Sequence, residues 1–221
     1  VEVTVTYRGK VKPGGPSEVR ELTDLMITKL AVSEMANNVY LLRCRHTDEQ
    51  VLIDAADEPE RILGMIGDDG LSTVVTTHQH WDHHRALPQV VAATNAETVA
   101  GEEDADALPV KVDRPVSDGD TVTVGRSTLE VIHLVGHTPG SIALLYDDPH
   151  GTPHLFTGDS LFPGGVGKTG SPENFASLID DVEAKVFGRL PDETWFYPGH
   201  GDDSTLGAER PHLAEWRARG W

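Results

Sequence analysis

The chain has 221 residues, 38% of them hydrophobic, and a formal net charge of −18. That length suits one compact domain with its own core, and no apolar run approaches the roughly 18 residues that a membrane-spanning helix needs. So acidic a balance repels phosphate backbones and argues against nucleic acid as a partner.

In chain order, Val3, Val5 and Tyr7 alternate with polar residues and predict a half-buried strand, followed by a Gly- and Pro-rich loop from Gly9 to Ser17. Residues 1–23 read as an N-terminal strand and loop extension of a single domain spanning 1–221. The N-terminus lacks the basic start and apolar stretch of a signal peptide. Residues 25–32 and 39–44 predict paired strands and 51–54 a third, with a short helix over Pro59 to Ile66 and a β-branched strand over Ser72 to Thr76. Cys44, the one cysteine, cannot form an internal disulfide; on a predicted strand it reads as a small buried thiol, which fits a cytoplasmic setting.

After residue 120 the pattern is mostly strand, over 121–124, 128–134, 141–146 and 154–157. Phe175, Leu178, Ile179, Val182 and Val186 then fall on one face of a 3.6-residue period, with Pro172 and Glu173 suited to the first turn of that helix. A strand over 193–197 and a helix over 211–219 complete the α/β pattern. Two strand-rich halves, each with helices, predict a layered sandwich with the helices outside.

The chemistry is concentrated in the histidines. Thr77-His78-Gln79-His80-Trp81-Asp82-His83 packs four potential ligands into a turn that follows a strand directly. Three more candidates, His137, Asp159 and His200, each stand where an apolar strand gives way to Gly or Pro, the place where a rigid scaffold presents polar groups along one edge. Imidazole and carboxylate suit two divalent transition-metal ions, zinc foremost, with iron or manganese also accommodated. Such a pair can share a hydroxide and a carboxylate, and Asp159, the one acid outside the cluster, is the expected bridge. Asp82 is the second acid expected to act in catalysis, by positioning the hydroxide. His84 and His133 are expected near the cluster but outside the ligand set, and His46, His150, His154 and His212 at the surface. Trp81 is expected either to wall the pocket or to pack beneath the cluster.

The order His-x-His-x-Asp-His, then His137, Asp159 and His200, resembles the dinuclear signature of the metallo-β-lactamase superfamily over roughly residues 25–205. The resemblance implies a four-layer αββα sandwich with the site at one edge of both sheets. His78, His80 and His137 would hold one ion, Asp82, His83 and His200 the other. Gly136-His137-Thr138-Pro139-Gly140-Ser141, Phe156-Thr157-Gly158-Asp159-Ser160 and Gly165-Val166-Gly167-Lys168 are most similar to the glyoxalase II group, hydrolases of hydroxyacyl-glutathione thioesters. That implies a small-molecule thiol ester as substrate, a metal-held hydroxide as nucleophile and Lys168 as a residue that binds the thiol's carboxylate. No tyrosine follows His200 as it does in that group, and only 21 residues follow His200, so the chain resembles a short relative whose thiol carrier is open.

The nearest rival is a persulfide dioxygenase of the same fold, with one iron on His78, His137 and Asp159. A nuclease or a non-catalytic metal-binding protein comes further behind. Two shorter motifs carry no weight. The phosphate-loop pattern ending at Gly167-Lys168-Thr169 needs glycine where Phe162 stands, and Ser160 lacks the base an esterase serine requires. Oligomeric state is not legible in the sequence.

Overall fold

The computed structural model describes residues 7–220; the strand expected around Val3 and Val5 lies outside the described residues. The first sheet contains β1 (Glu18–Glu21), β2 (Leu25–Val32), β3 (Asn37–Cys44), β4 (Gln50–Ile53), β5 (Thr73–Thr76), β6 (Glu97–Gly101) and β7 (Arg114–Val116), side by side in chain order. Its first four strands are antiparallel and its last four run parallel, β4 being common to both runs. The second sheet takes β8 (Thr121–Val124), β9 (Ser127–His133), β10 (Ile142–Tyr146) and β11 (His154–Gly158) as a meander. After the hairpin β12 (Leu161–Phe162) and β13 (Gly165–Val166), β14 (Trp195–Pro198) returns parallel to β11, and β15 (Ser204–Thr205) closes the edge.

Alternation along the strands builds the layers. Ile142, Leu144 and Tyr146 of β10, with Val51 and Ile53 of β4, point into the core between the sheets, alongside Leu25, Ile27, Phe156 and Tyr197. The intervening residues face outward onto helices, as the period of two requires. Leu52 and Val74 meet α1 (Pro59–Ile66) and α2 (Leu87–Thr94). Ala143, Leu145 and Leu155 meet α3 (Pro172–Asp181), whose Phe175, Leu178 and Ile179 face follows the predicted period. Ser171 caps α3 by accepting from the Asn174 amide, and the helix runs on through a wider π turn over Val182–Phe187. The chain finishes with α4 (Leu206–Glu209) and α5 (Leu213–Arg219), whose Trp216 is buried against Phe187. Helix, sheet, sheet, helix is the four-layer sandwich that the resemblance implies. No helix among the described residues is long and apolar enough to cross a membrane.

Buried polar groups stitch the two sheets together where β14 ends. Lys29 on β2 is fully buried; its Nζ donates to the carbonyls of Gly9 and Gly201 at 2.9 and 2.7 Å and to Asp203 Oδ1 at 2.5 Å. Asp203 also accepts from Tyr7 Oη and Trp195 Nε1. Burial lowers the Lys29 pKa and raises that of Asp203, and their mutual attraction opposes both shifts. His154 departs from expectation. It is buried on β11, with Nδ1 2.9 Å from Tyr197 Oη, and burial with Arg20 nearby lowers its pKa to about 3. The strand is buried from its first residue to its last, and the aromatic partner that satisfies the ring lies 43 positions away. His46, His150 and His212 are exposed, as expected.

Replacing Lys29 by Met leaves Asp203 charged and buried without a cation, so stability should fall by about 3–5 kcal/mol, read as a shift in the urea midpoint. Adding Asp203→Leu should recover part of that loss.

Candidate metal centre

The C-terminal ends of β4, β5, β9, β11 and β14 open along one edge of the sandwich, and each delivers a polar group there. β5 runs into Thr77 and His78, and a 3-10 turn over Trp81–His83 folds the cluster back on itself. Three ligand sets have donor atoms within 4.8 Å of one another: His78, His80 and His137; His78, His83 and Asp159; and Asp82, His83 and His200. All seven side chains singled out in the sequence therefore meet in one place, and Asp159 lies between the two triads. Its Oδ2 is 3.6 Å from His137 Nε2, 3.5 Å from His200 Nε2 and 4.0 Å from His78 Nε2, and its Oδ1 is 3.4 Å from His83 Nε2.

Hydrogen bonds outside the cluster set which nitrogen of each ring faces inward. The Nδ1–H of His137 donates to the Lys168 carbonyl at 2.6 Å, and that of His200 to the Met35 carbonyl at 2.9 Å; carbonyls only accept, so the tautomers follow. His83 Nδ1 donates to Asp54 Oδ2 at 2.9 Å. Thr77 Oγ1 donates to the same oxygen and so accepts from His78 Nδ1 at 3.0 Å. Four Nε2 atoms are left pointing at the centre, with His80 Nδ1 2.9 Å from His137 Nε2. His83 Nε2 and His200 Nε2 face each other at 3.1 Å. Two neutral imidazoles in that arrangement repel unless a proton or a cation lies between them. His78 Nε2 and Asp159 Oδ1 are buried and have no hydrogen-bond partner. Buried polar atoms are rarely left so, and the donor set fits a pair of transition-metal ions.

Charge follows the same geometry. Burial would raise the Asp159 carboxyl, but the His83 and His200 imidazoles outweigh it and hold it well below the usual carboxylate range. Burial likewise opposes a charge on His83, yet Asp159 and Asp54 overcome it and raise its pKa to about 10, whereas burial keeps His78 neutral. Asp82 stays ionised despite burial because Asn37 Nδ2 donates to its Oδ2 at 3.0 Å, with His83 adding attraction.

Several residues that build this site were not singled out in the sequence. Asp54 sits in the left-handed region at φ 58°, a strained position typical of functional loops. It binds the Thr77 amide and hydroxyl and His83 together. Its signal was partial, since it is an acid directly after an apolar strand, as Asp159 is, but no glycine or proline adjoins it. Asp104, fully buried, accepts from the Gln79 amide, Thr138 Oγ1 and the Gly140 amide at 2.9, 2.5 and 2.7 Å. It thereby ties the loop carrying His78 and His80 to the loop carrying His137. Gly199 is needed for room, because a Cβ there would lie 2.1 Å from Asp159 Oδ1. His84 turns away to the Gln79 carbonyl, and His133 holds the Pro139 carbonyl of the His137 loop. Trp81 does not pack beneath the cluster: it is 58% exposed, with the Arg85 guanidinium 4.4 Å from its ring centre.

Removing the Asp104 clasp by Asp104→Ala should weaken metal binding about 10–100-fold, measured by competition with a chromogenic chelator. Because a proton on His83 must leave before a cation can bind, metal affinity in the unmodified chain should rise with pH, by up to about tenfold per unit below the His83 pKa. A pH-independent affinity from 6 to 9 would contradict that exchange.

Comparison with known proteins agrees with the geometry. A family model described as the metallo-beta-lactamase superfamily matches residues 32–200. A hydroxyacylglutathione hydrolase from Polaromonas sp. is 36% identical over 164 residues, covering 73% of this chain and 60% of that protein. The chain thus spans about three fifths of the length of the curated relatives it first matches. Among solved structures, ETHE1 from Myxococcus xanthus is 32% identical with a TM-score of 0.75, covering 87% of this chain and 84% of that one. The protein TTHA1623, solved in a di-iron-bound form, is 31% identical with a TM-score of 0.68, covering 82% and 96%. Ligand order, layer order and these likenesses lead to one statement: the chain belongs to the metallo-β-lactamase superfamily.

Proposed function

We propose that this protein is a metal-dependent hydrolase that cleaves small thioesters. The observation that carries the reading is the convergence of seven donor side chains, four of them imidazoles whose outer hydrogen bonds aim Nε2 inward. The similarity to hydroxyacylglutathione hydrolases supplies the substrate class. In this reading His78, His80 and His137 hold one ion and Asp82, His83 and His200 the other, with Asp159 shared. Bound there, two divalent ions would supply an activated water at neutral pH and an electrophile for a carbonyl oxygen.

The chain's own groups do the remaining work. Asn37 pins Asp82, donating both to its carboxylate and to its backbone carbonyl, so that Asp82 Oδ2 stays 3.3 Å from His200 Nε2 and can hold a proton-bearing oxygen in the site. Asp54 and Thr77 keep His83 and His78 from rotating as charge changes at the centre. Lys168 is an exposed residue whose carbonyl fixes His137. The ammonium is proposed to bind a carboxylate on the substrate.

One observation favours a second reading, a mononuclear iron dioxygenase acting on persulfides: His78, His137 and Asp159 form a two-histidine, one-carboxylate set. Against it, His83 and His200 are held by their own outer hydrogen bonds with the same care as His78 and His137, which an idle pair does not require.

Elemental analysis of untreated protein should give two transition-metal ions per chain, and a thioester panel should show hydrolysis that is lost with a chelator and restored by metal. One iron per chain with oxygen uptake on a persulfide would replace this reading with the second. Asp159→Ala should lower metal content and turnover together, by at least about a hundredfold in kcat; full activity would refute its shared role. Lys168→Ala keeps the carbonyl that His137 needs, so it should raise KM for a carboxylate-bearing thioester about tenfold and leave a neutral one nearly unchanged.

A further inference from the structure

The hairpin β12–β13 borders the metal centre from His200 to His137 and is held at every corner. At its start Thr157 Oγ1 donates to the Leu161 carbonyl at 2.8 Å. At its close the Gly167 amide donates to the Ser160 carbonyl at 3.3 Å, and the Lys168 carbonyl holds His137. Gly167 passes so near the centre that a Cβ there would collide with the Asp159 carbonyl oxygen. The tip is tied from the C-terminal helices: the Gly164 amide donates to Glu209 Oε2 at 2.9 Å, and the Gly164 carbonyl accepts from Arg219 Nη2 at 3.0 Å. Glu209 is itself buried and accepts from Ser204 Oγ at 2.8 Å.

The two side chains of β12 point to opposite faces, as the strand period requires. Leu161 is fully buried in the outer core with Phe175 and Leu178 of α3. Phe162 turns to the metal centre, where its ring centre stands 6.4 Å from that of His200, the planes inclined at 40°. Its partner across the hairpin is Gly165, which has no side chain to cover the ring. Phe162 is left half-buried on a frame that does not move.

His200 is the open member of its triad. Its side chain is 22% exposed, against 0% for His83 and 9% for Asp82. Approach to that triad past His200 brings a group against the Phe162 ring. A fixed, half-exposed aromatic ring gains when hydrocarbon covers its remaining apolar surface. A hydroxyl pressed to the same surface gives up water and finds no partner in the ring.

We propose that Phe162 is a specificity-determining residue for the acyl group, an apolar wall beside His200 that selects unsubstituted hydrocarbon chains over hydroxyacyl ones. The proposal deepens the thioesterase reading and rests on it for the bond that is cleaved. The substrate class it names is a thioester with a short aliphatic acyl group, which the ring covers on one side while the carbonyl lies at the metal centre.

The test is a series of S-acyl 3-mercaptopropionates carrying acetyl, propanoyl, butanoyl and lactoyl groups, turned over by the metal-loaded protein and by its Phe162→Ala and Phe162→Leu variants. Dividing each kcat/KM by that of Phe162→Ala removes the intrinsic reactivity of the ester. On that scale each added methylene should gain about two- to threefold, and propanoyl should exceed lactoyl, which differs by one hydroxyl, about fivefold. Phe162→Leu should keep most of both preferences. A second readout needs no turnover: calorimetry with acetohydroxamate and butanohydroxamate, small metal-binding ligands that carry the same chains. Butanohydroxamate should bind about fivefold more tightly, and Phe162→Ala should remove the difference, with metal content measured on every variant. Chain-length dependence that is equal with and without the ring overturns the wall, as does a lactoyl advantage that Phe162→Ala abolishes. If no thioester is hydrolysed while the hydroxamate difference depends on Phe162, the thioesterase reading fails and the wall stands. No turnover together with equal hydroxamate affinities removes both.

Discussion

Five imidazoles and two carboxylates cannot share a few ångströms of largely buried space unless something reconciles their lone pairs. Every other feature of this edge of the sandwich follows from that constraint. The outer nitrogens of four rings are tied to fixed acceptors, two backbone carbonyls, the Asp54 carboxylate and the Thr77 hydroxyl, so the inner nitrogens have no freedom to turn away. Ring orientation is thereby settled before any ligand arrives, and binding a cation costs little reorganisation. The strain at Asp54 and the compulsory glycine at 199 are local costs of that prearrangement.

The scaffold explains why these groups can be assembled from distant parts of the chain. Parallel neighbours bring several strand ends to one edge, and two packed sheets bring two such sets face to face. The buried Lys29–Asp203 pair and the Asn38 amide, which donates to the Pro198 and Gly201 carbonyls, brace the segment on either side of His200. Asp104 performs the equivalent service between the His80 and His137 loops. Polar residues that carry no chemistry themselves therefore decide whether the ones that do are correctly placed.

How much of this was legible in the sequence depended on the kind of signal. Period-two strands such as 121–124 and the period of the Phe175 face declared themselves, because burial on one side writes a pattern along the chain. The seven donors were visible because four crowd into one turn directly after a strand, and the other three each stand where an apolar strand gives way to glycine or proline. Some short elements were less legible: α2, Leu-Pro-Gln-Val-Val-Ala-Ala-Thr, carries β-branched residues that favour strand, and as a helix it covers a sheet face with Leu87 and Val90. β1, β6 and β7, at four, five and three residues, are held by their neighbours more than by their own composition. His154 and Asp104 were missed because their meaning lies wholly in partners remote in sequence.

The two outer carbonyls that fix His137 and His200 belong to Lys168 and Met35, residues whose side chains lie at the rim of the site. An anchor made by main chain is indifferent to the side chain it carries. Either side chain can therefore be exchanged without disturbing the imidazole that its carbonyl holds. That separation of anchoring from side-chain identity within a single residue offers a physical route by which one frame of metal ligands keeps its geometry while its surroundings diversify.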